Sequence, residues 1–222
     1  MSIIKIKHMS FGYTPSNKTL KNINLEINEG DFLAIIGENG SGKSTLIKCI
    51  LGLNKVSEGT IEVDDRIGYL PQITSIPSSF PATIEEIVLS GTIPNNIRKI
   101  FYSKENKQKA QEIMKNLNLY EMRKKCFDEI SGGQRQRVLI ARALCATEKI
   151  ILLDEPVNGL DPKIVREIYQ MLHKLNKQGL TIIMVSHDVE RCLKYCTRVV
   201  EIEDGKIVKD VSAQEYEAGG TK

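Results

Sequence analysis

The sequence predicts an α/β fold with a mainly parallel sheet, an N-terminal antiparallel β subdomain and an inserted α-helical subdomain. Three features predict it. Apolar and polar residues alternate through much of residues 2–28, short continuous apolar runs alternate with helical segments at 32–52 and from 149 onward, and residues 73–140 have a mostly helical pattern. Half-buried antiparallel strands alternate in this way, whereas strands covered by helices on both faces are continuously apolar.

The N-terminal segments SIIKIKHMSFGY and INLEI (23–27) are predicted to be antiparallel strands because they alternate. FLAIIG (32–37) is a continuous apolar run that ends in glycine and precedes the helical segment STLIKCILG. This pair indicates a strand buried on both faces, followed by a helix. We assign residues 1–72 and 141–222 to one α/β core that includes the antiparallel strands, and the whole chain to one domain.

Residues 73–140 are predicted to form the helical subdomain. Prolines crowd a Ser/Thr-rich stretch after the strand-like GTIEV (59–63), which indicates a loop. Thr83-x-x-Glu86 is a capping box that begins a helix, and a longer helix is expected near 104–118 because apolar residues recur there at helical spacing. Ser131-x-x-Gln134 is another capping box, although the helix that it predicts would begin on two glycines, which are poor helix formers.

From residue 149, apolar strands alternate again with helices. The order is IILLD, a helix near 162–178, LTIIMVS, a helix near 188–195 and RVVEIE, and this alternation favours a parallel sheet with covering helices. Asp204-Gly205 between EIE and KIV predicts a tight hairpin.

Composition excludes several classes of function. A net charge of +3 is too small to indicate a nucleic-acid partner. The five cysteines are odd in number, have no CxxC spacing and follow no signal-peptide pattern, so a reducing cytoplasm is the expected location. No apolar run approaches the roughly 20 residues that a membrane-spanning helix requires, so a membrane role would have to pass through a partner.

A phosphate-binding loop, GxxxxGK[ST], lies between the predicted strand at 32–37 and its helix. The glycines let successive amides wrap a phosphate chain, Lys43 reaches the outer phosphates and Ser44 ligates magnesium at the helix N-terminus. The alternative is a glycine turn without a ligand. The predicted nucleotide-binding residues here are Gly37, Glu38, Asn39, Gly40, Ser41, Gly42, Lys43, Ser44 and Thr45.

Further candidates are expected at the carboxyl ends of core strands, where open α/β sheets bind ligands. Asp154 would hold Mg²⁺, directly or through water, and Glu155 would be the general base that activates the attacking water. An ordinary strand end followed by an acidic loop is the alternative. His187 ends another strand at the same edge, although a lone histidine is often a structural residue.

Two more residues are weaker candidates. Gln72, at the start of the proline-rich loop, could reach Mg²⁺ or the attacking water from a hinge, and Tyr13 could stack on a purine base or simply pack. The spacing His187-x4-Cys192-x3-Cys196 lacks a fourth ligand, so we interpret these cysteines as core residues rather than metal ligands. The excess of Lys and Arg over 98–125 is interpreted as a solvated helical face, with an anionic membrane or an acidic partner loop as the alternative.

Together the phosphate loop, YLPQ, ISGGQ, IILLDEP, GLD and SHD, in that order over residues 37–188, resemble an ABC transporter ATP-binding subunit. The resemblance implies ATP and Mg²⁺ as cofactors and a head-to-tail homodimer that hydrolyses ATP at two composite sites. It implies that Ser131, Gly132, Gly133 and Gln134 face the γ-phosphate held by the other subunit, and that Gly159, Leu160 and Asp161 form the loop that crosses the dimer seam. The cap and the γ-phosphate would then compete for Ser131.

The resemblance also implies that Gln72 is the hinge residue, that His187 contacts the γ-phosphate and that Tyr13 stacks on adenine. Transmembrane permease subunits would dock on the helical subdomain, which places the chain on the cytoplasmic face of the membrane. SSFPATIEEIVLSG (78–91) is similar to the matching stretch of zinc and manganese importers, so a divalent metal ion is the expected cargo. The alternatives are a soluble ABC-type regulator or remodeller, and a non-hydrolysing ATP-binding scaffold.

Overall fold

A computed structural model of the chain describes residues 1–14, 17–72, 81–93 and 102–219. Within these residues the strands are β1 (Ser2–Phe11), β2 (Leu20–Asn28), β3 (Phe32–Ile36), β4 (Glu58–Val63), β5 (Ile67–Leu70), β6 (Ile150–Asp154), β7 (Thr181–Val185), β8 (Arg198–Glu203) and β9 (Lys206–Ser212). The helices are α1 (Lys43–Ile50), α2 (Ile84–Ser90), α3 (Lys104–Asn116), α4 (Gly132–Cys145), α5 (Pro162–Lys177), α6 (Val189–Leu193) and α7 (Ala213–Gly219), with short 3₁₀ turns at Tyr120–Met122 and Phe127–Glu129.

Two sheets form the β structure. The N-terminal sheet has the order β2-β1-β4, and both of its pairings are antiparallel. The central sheet has the order β5-β6-β7-β3-β8-β9, and only the β8–β9 hairpin at its edge is antiparallel. The predicted fold class, with a mainly parallel sheet and an antiparallel N-terminal sheet, is confirmed.

The central strands are buried on both faces, as their continuous apolar sequences predict. Along β3, Phe32, Ala34 and Ile36 pack into one hydrophobic cluster, and Leu33 and Ile35 pack into the other. The first cluster includes buried residues of α2 to α6, and the second includes residues of the N-terminal sheet and α1. The strand ends that carry the polar candidates therefore lie at the edge of a sheet that is fixed from both sides.

Three predicted helices occupy the expected helical region. Both predicted capping boxes are present, at the starts of α2 and α4. However, α4 runs without a break from Gly132 to Cys145, past residue 140, where the sequence placed the end of the helical subdomain. Two short elements, β5 and α7, were not expected from the sequence, because neither has a long periodic pattern.

Candidate nucleotide site

The phosphate loop connects β3 to α1 and has a backbone that requires glycine. Gly37, Gly40 and Gly42 all have positive φ angles, of 143°, 84° and 110°. At Gly37 a Cβ atom would also collide with the carbonyl oxygen of Ile202 and lie 2.9 Å from Ser41 Oγ. Only glycine, which has no Cβ, can adopt this conformation and allow so close an approach, so these positions shape a loop lined by backbone groups.

Lys43 is folded against this loop, and its side chain is buried. Its Nζ donates hydrogen bonds to the carbonyl oxygens of Gly37 and Glu38, at 2.8 and 2.7 Å. Burial lowers the pKa of the Lys43 ammonium, and this effect is opposed by the charges of Glu155 and Asp154. An ammonium has three N–H donors, and the loop carbonyls use two of them, so one donor remains for an anionic ligand.

Asp154 ends β6 beside the start of α1. Its side chain is 4% exposed, and Oδ1 has no hydrogen-bond partner within the described residues. Burial, followed by the charge of Glu155, raises the pKa of Asp154, although a hydrogen bond with Ser44 acts in the opposite direction. A buried carboxylate oxygen without a partner is costly, and a cation at this position would remove the cost.

Glu155 has a strained backbone, and several polar side chains lie around its carboxylate. Its φ angle is 50°, in the left-handed region that is unfavourable for non-glycine residues, and its N–H donates to the carbonyl of Val185 at 3.1 Å. Gln72 Nε2 and Asn158 Nδ2 both donate to Glu155 Oε2, at 2.8 and 3.0 Å, whereas Oε1 lies 3.6 Å from His187 Nδ1.

Several predicted site residues line one small cavity of about 140 Å³. Its lining includes Glu155, His187 and the loop Gly159–Leu160. The side chain of His187 is 58% exposed, so its imidazole can reach a ligand at this edge of the sheet. The structure thus brings together residues that follow β6 and β7, as the sequence predicted for strand ends of one parallel sheet.

The residues present fit a nucleotide with its magnesium ion. Ser41 Oγ in the loop and Asp154 Oδ1 opposite it are both buried without a hydrogen-bond partner among the described residues. Hard oxygen donors are what Mg²⁺ prefers, and Ser44 and Asp154 supply them side by side. The loop amides and Lys43 supply the donors that phosphates require.

Tyr13 lies close to the phosphate loop, just after β1. Its side chain is 63% exposed and its ring packs edge-on against Phe11, with the centroids 5.0 Å apart. The hydroxyl group lies 3.5 Å from Thr45 Oγ1 at the start of α1. An exposed aromatic ring in this position is available for stacking on a base.

The ISGGQ segment begins α4 at the surface, next to the predicted seam loop Gly159–Asp161. Ser131 and Gly132 are exposed, and a Cβ atom at Gly132 would lie 3.7 Å from Leu160, which is an ordinary contact. At Gly133 the same atom would come within 2.6 Å of Ile164 on α5. Gly133 is therefore required by packing inside this chain, a reason that the sequence did not reveal.

The fold, the glycine loop and the carboxylates at the end of β6 define a nucleotide-binding α/β protein. A family model described as "ABC transporter" matches residues 20–158, which is more than half of the chain. The chain belongs to this family as an ATP-binding subunit, and it is an ATPase.

Curated relatives agree with this assignment. The "Phosphonates import ATP-binding protein" of Lactococcus lactis subsp. lactis is 34% identical over 96% of this chain and 94% of its own length. The "Zinc uptake system ATP-binding protein" of Listeria innocua is 34% identical over 97% of this chain and 88% of its own length.

Solved structures share the fold. One, described as an inward-facing metal-chelate type ABC transporter, has a TM-score of 0.87 and 31% identity, covering 97% of this chain and 85% of that one. A dimeric bacterial ABC transporter cassette has a TM-score of 0.78 and 33% identity, covering 95% of this chain and 98% of the other. Subunits of this family bind nucleotide, dimerise and work with membrane permeases.

The sequence did not predict the hydrogen bond from Asn158 to Glu155, because this contact depends on the turn that follows β6. Across the described ranges, none of the helices is both long and apolar enough to cross a membrane.

Proposed function

We propose that this ATPase energises the import of a divalent metal ion, such as zinc or manganese, as a head-to-tail homodimer bound to a membrane permease. The observation that carries the hydrolytic role is the arrangement at the end of β6. Asp154 faces the phosphate loop, while Glu155 has one oxygen bound to amide donors and the other directed to His187.

In this proposal Ser44, Asp154 and Gln72 hold Mg²⁺, and the loop from Gly37 to Thr45 holds the phosphates. Mg²⁺, when bound, neutralises charge on the phosphate oxygens. Glu155 Oε1 accepts a proton from the attacking water, because it is the carboxylate oxygen that the amide donors leave available.

Two other side chains complete the proposed site. His187 donates to the γ-phosphate from the exposed edge of the sheet, and Tyr13 stacks on adenine. Both lie on the surface that a bound nucleotide would cover.

The second half of each site would come from another copy of the chain. Ser131 and Gly132 are exposed at the N-terminus of α4, where the helix dipole favours an anion. Their neighbour Leu160 belongs to the predicted seam loop, so one surface would carry both elements of the dimer interface.

The proposed permease-docking surface is a groove of about 630 Å³ between the nucleotide core and the helical subdomain (73–140). Leu53 and Ile93 line it and are 65% and 42% exposed, so the groove presents apolar surface. Gly52 also lines it, and nothing lies within 4 Å of the position that its Cβ would occupy, which leaves room for an inserted segment. An apolar segment of a permease subunit would fit here, placing the chain on the cytoplasmic face of the membrane.

The expected cargo rests on similarity, since the ATPase itself does not contact it. Zinc-uptake subunits are among the relatives, and the stretch 78–91 resembles metal importers, although residues 78–80 lie outside the described residues. Phosphonate import is the second candidate, because relatives with that name are equally similar.

Glu155→Gln tests the hydrolytic role. It removes the base but keeps the shape of the side chain, so we expect an ATP-stabilised dimer with little turnover. Size-exclusion chromatography with light scattering, with and without Mg-ATP, reports the dimer, and phosphate release reports turnover. A variant that hydrolyses ATP at the normal rate would contradict the role of Glu155.

Deletion of the gene tests the cargo. The deletion strain should grow poorly when zinc or manganese is limited by a chelator, and the added ion should restore growth. Failure to grow on a phosphonate as the only phosphorus source, with normal growth in chelator, would instead support phosphonate import. Copurification with membrane permease subunits separates both from a soluble regulator.

A further inference from the structure

Glu155 has an asymmetric set of hydrogen-bond partners. Both amide donors, from Gln72 and Asn158, go to Oε2, whereas Oε1 lies 3.6 Å from His187 Nδ1. A carboxylate oxygen accepts about two hydrogen bonds through its lone pairs. Oε2 is therefore fully used, and Oε1 is the oxygen that can accept a proton.

The two amide donors lie at very different distances from Glu155 along the chain. Asn158 lies three residues after Glu155 in a turn that is closed by the hydrogen bond from its N–H to the carbonyl of Glu155, at 3.3 Å. Gln72 is 83 residues distant in sequence and precedes the segment 73–80, which leads to the helical subdomain. If Gln72 turns to Mg²⁺ or to the attacking water, as the proposed function requires, only Asn158 still holds Oε2.

We propose that Asn158 is a positioning residue for ATP hydrolysis, which fixes the carboxylate of Glu155 so that Oε1 faces the attacking water. This inference rests on the proposed role of Glu155 as the base. The side chain of Glu155 is 13% exposed and its backbone is already strained, so one local donor is enough to select a single rotamer.

The position of Asn158 also connects the base to the dimer interface. It directly precedes Gly159, whose φ angle is 72°, and the predicted seam loop Gly159–Asp161. Asn158, Gly159 and Leu160 line the same small cavity as Glu155. A second copy that contacts this loop would therefore lie beside the residue that holds Oε2 of Glu155.

Asn158→Ala and Asn158→Asp test this inference. Loss of one hydrogen bond to a charged group should lower kcat about tenfold in Asn158→Ala, with the KM for ATP changed less than about twofold. Asn158→Asp keeps the shape but puts a second carboxylate beside Glu155. Its kcat should fall further, because repulsion between the two carboxylates would turn Glu155 away from the attacking water, while the KM for ATP should again change less than about twofold.

Other titratable groups near Glu155 are Asp154, Lys43 and His187, together with Asp188 and Arg191 on the same cavity, and they are unchanged in both variants. Asn116→Ala, at the exposed end of α3, is the matched control and should leave kcat and KM unaltered. Thermal unfolding of each variant separates loss of fold from loss of positioning.

The outcomes are distinct. If Glu155→Gln abolishes turnover but both Asn158 variants keep the wild-type kcat, the positioning role is overturned and the proposed function survives. If Glu155→Gln turns over normally, the role of the base fails. A rise in KM with unchanged kcat in Asn158→Ala would also overturn the inference, because it would indicate nucleotide binding rather than alignment of the base.

Discussion

Asp154→Asn should stabilise the nucleotide-free protein while it weakens Mg-ATP binding. Asp154 is 4% exposed, Oδ1 lacks a partner within the described chain, and burial and Glu155 raise its pKa. Asparagine has the same shape but no charge, so it removes the desolvation cost of the carboxylate and its repulsion by Glu155, and each pKa unit of such an effect corresponds to about 1.4 kcal/mol. For a gain of about 1 kcal/mol the melting temperature of a chain of this size should rise by about 2–4 °C.

Mg-ATP should stabilise the Asp154→Asn variant less than it stabilises the wild-type protein. Mg-ATP at 100 times its Kd would stabilise the wild-type protein by about 2.7 kcal/mol, and the variant should gain less than half of this because a proposed magnesium ligand is altered. Scanning calorimetry with and without Mg-ATP measures both effects. Asp64→Asn, at an exposed position after β4, is the matched control and should change neither.

The pH dependence has a definite sign. Because burial and the charge of Glu155 raise the pKa of Asp154 above its usual value of 3.8, the folded state favours the protonated form. The stability gained by Asp154→Asn should therefore be largest near neutral pH and should shrink as the pH falls through the raised pKa towards 3.8. A nucleotide-free variant that melts below the wild type, or one with an undiminished Mg-ATP shift, would refute this reasoning.

Two further predictions concern packing. Gly133→Ala should lower the melting temperature because its Cβ would approach Ile164 to 2.6 Å. Gly132→Ala should leave the melting temperature unchanged or raise it. If Gly132 faces the partner's nucleotide, the same variant should also have a lower ATPase activity. Equal destabilisation by the two, in calorimetry, would contradict the packing argument. In a thiol titration Cys126, which is only partly buried, should react first; Cys145 should react only on unfolding, since burial raises its pKa to about 12. Fast reaction of Cys145 in the native protein would show that the core is more open than described.

The sequence predicted most of the sheet because its signals are long. Continuous apolar runs such as IILLD identified strands buried on both faces, and Asp204-Gly205 predicted the β8–β9 hairpin. It did not predict β5, whose four residues pair with β6 but carry too short a pattern to be distinguished from a loop. Local sequence is weak evidence where tertiary pairing decides the structure.

The site was predictable in its residue types but not in its contacts. Strand ends of one parallel sheet meet at one edge, so Asp154 and His187 could be expected to lie near the phosphate loop. The hydrogen bond from Asn158 to Glu155 depends on a left-handed residue at the end of β6, and no composition signal marks such a conformation. The steric need for Gly133 depends on the approach of α5, which is a tertiary feature as well.

At the start of α4, Ser131 can serve both as the helix cap and as part of the proposed anion site. Ser131 Oγ accepts a hydrogen bond from the amide of Gln134 at 3.3 Å, so the cap uses the hydroxyl as an acceptor, while a phosphate would use its O–H as a donor. The expected competition for Ser131 is therefore unnecessary, because one hydroxyl can do both. The amides of Gln134 and Arg135 are already bound to Ser131. The other two amides at the start of the helix are those of Gly132 and Gly133, and they remain for the proposed anion. These are the two positions where the sequence had seemed least suited to a helix.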